Sequence, residues 1–459
     1  MGDDEAAGRR QRVRARMQRL YPLCRSITGD GVRATLDVLE EDLPPGVAMQ
    51  RHEVPSGTRV HDWVVNDEWN ARAAWIADAT GRRLVDLARH TLHLVGYSVP
   101  VRASMSFEEL RPHLHTMPDR PDWIPYRTTY YERTWGFCLA HRDLAVLEEA
   151  ARLGPLEVVV DTTVGPGSLT YAEVVLPGDE PGEILLTAHL CHPSLANDNL
   201  SGLSVATELV RELAGRPRRL GVRLLLAPGT IGSITWLARN GEHLPQVRHG
   251  LVLTGLGGPG PLVYKRTRRA DRPVDRAAEL VVRAHGGQVR DYSPYGYDER
   301  QFNALGFDLP VGRISRTPHG EYPEYHTSAD DLAFVTDDQL AASYDAVLEV
   351  VEALQADVTY RNLSPYGEPQ LGRRGLYPTT GGKNATDAVM AMLWLLAASD
   401  GATSLVEVAA LAGVPVAVLH SAARDLESAG LLAREQAPVD AHQYWSSSAR
   451  AACAAQRPS

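Results

Sequence analysis

The chain of 459 residues predicts an α/β protein with a mixed sheet flanked by helices, an inserted β-rich domain and a C-terminal winged helix-turn-helix. Three observations lead there. Strand-like and helix-like apolar patterns alternate through the middle of the sequence. Ahead of them lies a stretch of short apolar runs broken by turn residues and prolines. Behind them the pattern reads helix, helix, tight turn, helix, short strand. The length exceeds what one compact core accommodates, so more than one domain is expected.

Residues 9–43 read as two helices: Leu20 and Leu23 on one side, and Val32, Leu36 and Leu39 on the other, repeat at helical spacing around the turn Ser26-Ile27-Thr28-Gly29-Asp30-Gly31. From residue 49 to 131 runs such as Leu92-His93-Leu94-Val95-Gly96-Tyr97 alternate with turns, and Trp63, Trp69, Trp75 and Trp123 add aromatic bulk. That texture suits a small β-rich unit. Next come strand patterns at 156–161, 183–188, 222–226, 251–254 and 262–264 and helical ones at 201–213, 231–239, 274–285 and 338–356. Such alternation implies a sheet covered on both faces. In open α/β sheets ligands sit beyond the carboxyl ends of the strands, so the loops following strands carry the functional expectation. The expected domains are 1–48 with 145–365, an insertion at 49–144, and a winged helix at 376–445. In the last unit Gly413-Val414-Pro415 forms the turn before a third helix at 416–429. That helix offers Arg424 and His420 beside Asp425 and Glu427, a poor surface for phosphate, so a packing or subunit-contact role is expected over DNA reading.

Hydrophobic residues make up 44% and charged residues 23%, as in ordinary globular proteins, and the net charge of -10 argues against nucleic acid as a main partner. Lys265 and Lys383 are the only lysines; the arginine excess reads as coding bias with little chemistry in it. Cys24, Cys138, Cys191 and Cys453 form no CxxC pair, so neither a disulfide framework nor a zinc knot is expected. The first 16 residues have no apolar core of a secretory signal and no run is long enough to span a membrane, so a cytoplasmic location is expected.

The segment Thr187-Ala188-His189-Leu190-Cys191-His192-Pro193-Ser194-Leu195-Ala196-Asn197-Asp198-Asn199-Leu200-Ser201-Gly202 follows an apolar strand and opens a helix. Imidazole and carboxylate are the ligands of a hydrolytic zinc, three from the protein with one position left for water. The phrase around His189 and Asp198 resembles the metal-binding core of the co-catalytic zinc aminopeptidases, a clan that includes glutaminyl cyclases, with a zinc-peptidase, phosphorylase/hydrolase-like fold. The clan's last ligand is a His in a Tyr-His-Thr phrase, which Tyr325-His326-Thr327 resembles. Closer still is the resemblance to a bacterial aminopeptidase-like domain family. Its phrases recur in Arg25-Ser26-Ile27-Thr28-Gly29-Asp30-Gly31, Asp67-Glu68-Trp69-Asn70, Tyr130-Tyr131 with Trp135-Gly136-Phe137-Cys138, Cys191-His192-Pro193-Ser194, Asp298-Glu299-Arg300-Gln301-Phe302 and Glu324-Tyr325-His326-Thr327-Ser328. The resemblance implies zinc held by His189, Asp198 and His326, with His192 a further candidate ligand.

Departures from the clan shape the mechanism. A Glu-Glu pair precedes an Ile-Gly-Ser type turn there, whereas Pro228-Gly229-Thr230-Ile231-Gly232-Ser233 holds no carboxylate, and Leu253-Thr254-Gly255 falls where an Asp ligand belongs. Cys191 stands where the clan has an Asp that orients the ligand His. A mono-zinc site is therefore expected, lacking the usual proton acceptor. Glu324, Asp298 and Glu299 are the candidates for that role, beside Glu321 and His192, and each has an alternative as a loop-bracing residue. Glu68 (or Asp67), Tyr325 and Arg316 are candidates for substrate binding; the tryptophans and tyrosines of the inserted unit are expected to form its small core, with one aromatic wall facing the metal as the alternative. The leading expectation is hydrolysis of an amide in a small peptide or aminoacylated natural-product intermediate. The alternatives are a binding or scaffold protein on a peptidase fold, and a DNA-linked regulator acting through the winged helix. A winged helix on an acidic enzyme also suggests a homo-oligomer.

Overall fold

The computed structural model describes residues 3–376 and 387–435, so the ends of the expected winged-helix span, with Lys383 and Cys453, lie outside the described residues. The main sheet has eight strands. Its middle is the parallel set Gly221–Ala227, Glu183–His189, Val247–Leu253 and Val311–Arg316. Ser168–Leu176 and then Met49–Pro55 extend one side in antiparallel pairing. Leu262–Lys265 continues the other side antiparallel, and Gln288–Arg290 lies parallel to it at the edge. The sheet is mixed, as the sequence predicts.

Alternation of side chains along the middle strands divides the interior in two. Ile184, Leu186 and Ala188 join a core with Leu224, Leu226, Leu251 and Leu253, covered by the helices Asp3–Leu20, Gly202–Ala214, Pro273–Ala284 and Asp337–Ala356. Leu185, Leu225 and Val252 join a second core with the helix Ile231–Arg239 and with Trp69, Val85, Leu94 and Phe137 of the inserted unit. His189 shares the parity of Leu185 and so ends its strand on the side of the inserted unit. Across the first core Arg16, 1% exposed, donates to Glu208 at 2.7 Å, Ser204 O at 2.9 Å and Asp42 at 2.5 Å.

Two strands pair across the domain boundaries drawn from sequence. Met49–Pro55 is an edge strand of the main sheet, whereas Leu156–Gly165 pairs with Glu68–Ala77 and Val101–Met105 in a separate four-stranded sheet. A β-branched run specifies a strand but not its partner, which long-range burial decides. The inserted unit also returns to the main domain: Pro125 bridges to Thr327, and Tyr126 N donates to His326 O at 2.8 Å.

Directly after Asp337–Ala356, the strand Thr359–Asn362 pairs with both Asp400–Ser404 and Leu432–Arg434. The helices Asp387–Ala398, Leu405–Ala412 and Val416–Ser428 complete a winged helix, the last two crossing at 117°. Its turn rests on Gly413, whose φ of 64° favours glycine. The third helix does not face outward along its length. Val416, His420 and Arg424 line a cavity of about 830 Å³ whose other wall includes Arg216, Leu280 and Glu352 of the main domain. Among the described residues no single helix is long and apolar enough to cross a membrane.

Two outcomes are expected from this arrangement. Arg16→Ala removes one of the two guanidinium groups that hold Glu208, Arg12 at 2.8 Å being the other, and should lower unfolding free energy in urea by about 1.5–3 kcal/mol, where a loss below about 1 kcal/mol would show the pair to be dispensable. Because the third helix faces the main domain, fluorescence anisotropy with duplex DNA should show no salt-sensitive binding; a steep fall of affinity with salt would contradict that.

Candidate metal centre

The end of the Glu183–His189 strand gathers the residues expected to bind metal. His189 Nε2 lies 2.8 Å from Asp198 Oδ1, and His326 Nε2 lies 3.1 Å from Asp198 Oδ2. His192 Nε2 stands 3.9 Å from the same Oδ2. Ligand atoms of His189, His192 and Asp198 fall within 4.8 Å of one another. Asp198 and His189 are buried, while the side chain of His326 is 32% exposed and forms the open side.

The electrostatics suit a cation. Burial opposes ionisation of Asp198, but the surrounding imidazoles hold its carboxyl well below the usual range. Burial likewise opposes charge on His189, and Asp198 overcomes it, raising that imidazole. Burial pushes His192 down to about 3, which leaves a neutral ring able to donate a lone pair. Cys191 Sγ lies 3.2 Å from His192 Nδ1, leaving Nε2 to face Asp198.

Backbone clamps fix these positions. Asp330 accepts from the amides of Asn197 at 2.5 Å and Asp198 at 3.0 Å. Burial raises its carboxyl to about 8, against the pull of those amides. Asn199 Oδ1 accepts from Gly202 N at 3.1 Å and Gly255 N at 3.2 Å. A Cβ at Gly202 would come within 2.3 Å of that same oxygen, so the turn into the helix requires glycine. Arg25, from the N-terminal phrase, donates to His192 O at 2.8 Å. His326 has a φ of 56°, a costly conformation for a non-glycine residue, and its carbonyl is held by Tyr126 N.

Aromatic rings close the walls. Tyr297 stacks on His189 at 5.2 Å and Tyr325 on His326 at 3.9 Å. From the inserted unit, Tyr126 packs edge-on against His326 at 5.0 Å and tilted against His192 at 5.2 Å. The aromatics of the inserted unit divide: Trp69 and Tyr97 pack in its core, as the sequence favours, while Tyr126, which the sequence did not single out, forms the wall held as the alternative.

The other expected residues divide. Asp298 is 3% exposed beside the turn at Gly229, and burial raises its carboxyl to about 6, while His189 and Ser233 pull the other way. Glu324 sits half-buried two residues before His326, its carbonyl accepting from Thr327. Glu299 departs from the catalytic expectation: fully buried, it pairs with Lys265 at 3.0 Å and Arg313 at 3.4 Å. Glu321 pairs with Arg290 at 2.9 Å. Glu68 has no free oxygen for a substrate ammonium, since it binds Arg33 at 2.7 and 2.9 Å and Ser168 N at 2.9 Å. Asp67 pairs with Arg133 at 3.3 Å. Arg316 braces the sheet end through Ser343 at 2.8 Å and Gly260 O at 2.7 Å, and is not placed by any contact against the metal ligands. Sequence reasoning also missed Asp330, Tyr297 and Lys265. Asp330 lies four residues after His326, just beyond the quoted phrase, and Lys265 was one of two lysines set aside as compositional bias.

A family described as a domain of unknown function, DUF4910, matches residues 14–357, and a winged helix-turn-helix family matches 358–434. A Clostridium acetobutylicum protein, named for polysaccharide biosynthesis and an aminopeptidase-like domain, is 42% identical over 419 residues, covering 91% of this chain and 94% of its own. A Clostridium acetobutylicum crystal structure, named as a peptidase, superposes with a TM-score of 0.87 at 40% identity, covering 94% of this chain and 98% of its own. The zinc aminopeptidase BSAP of Bacillus subtilis shares the fold at a TM-score of 0.52 and 14% identity, over 75% of this chain and 95% of its own.

Removing the Asp330 clamp tests whether the ligand loop is preorganised. Asp330→Ala should weaken zinc affinity by about 10- to 100-fold in competition with a chromophoric chelator; unchanged affinity would mean the loop holds its ligands without it.

Proposed function

Since the chain belongs to the DUF4910 family and carries the aminopeptidase-like fold, we propose that it is a zinc-dependent amide hydrolase with a mono-zinc site. The observation that carries this reading is the buried Asp198 carboxylate flanked by His189, His192 and His326 at the carboxyl end of a central parallel strand. His189, Asp198 and His326 are the protein ligands, and His192 is the candidate fourth. Two or three imidazoles with one carboxylate fit the donor preference of zinc. Bound there, zinc supplies Lewis acidity toward a carbonyl and lowers the pKa of water. The chain's own residues bind and orient. Tyr126, Tyr297 and Tyr325 form the walls against which an amide substrate packs, and the exposed side of His326 is the point of entry.

The substrate class proposed is a small peptide or an aminoacylated biosynthetic intermediate, the latter favoured by the relative's name for polysaccharide biosynthesis. With Glu68 committed to Arg33, recognition of a free amino terminus falls to other groups, of which Glu324 is the nearest in sequence to a ligand. A cytoplasmic location belongs to the same proposal. The absence of a side chain at Gly229 favours a second reading, a binding protein that has lost catalysis.

Elemental analysis of protein purified without added metal separates the two readings. The hydrolase reading expects about one zinc per chain, lost in His326→Ala, with hydrolysis of aminoacyl p-nitroanilides abolished by chelation and restored by zinc. Wild type and His326→Ala both free of zinc would contradict it, and zinc-loaded protein inert toward every amide tested would favour the binding protein.

A further inference from the structure

The turn Pro228-Gly229-Thr230 follows the strand Gly221–Ala227 and borders His189, yet it has no side chain at 229 to offer. The space beside it is occupied. A Cβ placed on Gly229 would stand 3.3 Å from His189 Cβ and 3.4 and 3.6 Å from the two carboxylate oxygens of Asp298. Asp298 thus fills the region into which a side chain at 229 would project. Its Oδ1 is buried and has no hydrogen-bond partner among the described residues. An unpaired buried carboxylate oxygen is costly, and such a cost is commonly kept where the oxygen has a partner during function. Ser233, from the first turn of the helix Ile231–Arg239, lies close enough to the carboxyl to favour its charged form.

The loop bearing Asp298 is pinned. Lys265 Nζ donates to Ser293 O at 2.6 Å and Tyr295 O at 2.8 Å, and pairs with Glu299 at 3.0 Å, so one buried ammonium grips the loop at three places. Arg313 adds a second cation to Glu299 at 3.4 Å. Between these anchors Tyr297 stacks on His189. The loop therefore presents Asp298 to the metal-ligand side from a fixed base, and Glu299 and Lys265 are positioning residues.

We infer that Asp298 supplies, from this loop, the carboxylate that the turn at Gly229 lacks, and serves as the proton acceptor of the amide hydrolysis proposed above. The inference rests on that hydrolase reading. In the step assigned to it, the oxygen of a water molecule adds to the amide carbonyl carbon as one of its protons passes to Asp298 Oδ1. The same proton then goes to the amide nitrogen as the C–N bond breaks. The products are a carboxylic acid and an amine, and the Asp298 carboxylate is regenerated with one water consumed.

Two variants test it: Asp298→Asn, which keeps the shape of the side chain, and Gly229→Glu combined with Asp298→Ala, which moves the carboxylate to the turn. Both are loaded with zinc, and zinc content, melting temperature, hydrolysis of aminoacyl p-nitroanilides and calorimetric affinity for acetohydroxamate are measured. Asp298→Asn should keep the zinc and melting temperature of wild type and leave KM unchanged, while kcat falls by about 100-fold or more. Its acetohydroxamate affinity should fall about tenfold, because the ligand's acidic proton loses its acceptor. The double variant should regain much of both. Wild type without zinc would overturn the hydrolase reading together with this one. Zinc-bearing Asp298→Asn with unchanged kcat and hydroxamate affinity, or a loss that the double variant does not recover, overturns this one alone. Should the anilides prove inert even to wild type, the hydroxamate comparison decides.

Discussion

A carboxylate buried without compensation is among the more costly groups a protein can hold, and the site is organised around one, Asp198. Its two oxygens meet His189 and His326, its backbone amide is held by Asp330, and His192 stands just beyond. The partners come from three parts of the chain: a strand end, the loop behind it, and a loop well over a hundred residues later that carries both His326 and Asp330. Holding that negative charge in place therefore requires the main sheet, the Gly202–Ala214 helix and the late loop to be assembled together.

The inserted unit belongs to this assembly. Its own sheet is built on Leu156–Gly165, but the 124–126 segment lies outside that sheet and pairs with the loop bearing His326, stabilising a backbone conformation that a histidine rarely adopts. Tyr126 arrives with it and packs against two imidazoles. On the other side the loop pinned by Lys265 delivers Tyr297 and Asp298. The centre is thus formed by loops from both domains over a strand end, an arrangement in which His326 is the most exposed of the four side chains. The winged helix stands apart from it, its third helix turned toward the main domain across a cavity.

Much of this was legible in the residues. The apolar run ending at His189, the Asp in the turn to the next helix, and the Tyr325-His326-Thr327 phrase pointed to three side chains that the fold brings together, because strand ends and loop chemistry are local signals. The alternation of strands and helices gave the mixed sheet, and Gly413 marked the winged-helix turn. What stayed hidden depended on distant partners. The run at 156–161 looks like any buried strand, and only pairing shows that it belongs to the smaller sheet. Glu68 looked free for an ammonium because Arg33, which consumes it, lies far away in sequence. Glu299 and Asp298 are adjacent and chemically alike, yet one faces Lys265 and the other the turn at Gly229. Lysine scarcity, read as composition, concealed that one of the two lysines anchors the site.

The central claim is that His189, Asp198 and His326 together hold one zinc ion. Anomalous diffraction at the zinc edge, on crystals of the full chain grown with zinc, tests it most directly. The account predicts a single peak about 2.0–2.2 Å from one nitrogen of each histidine and from an Asp198 oxygen. A peak bound elsewhere, with none among these three side chains, would contradict it.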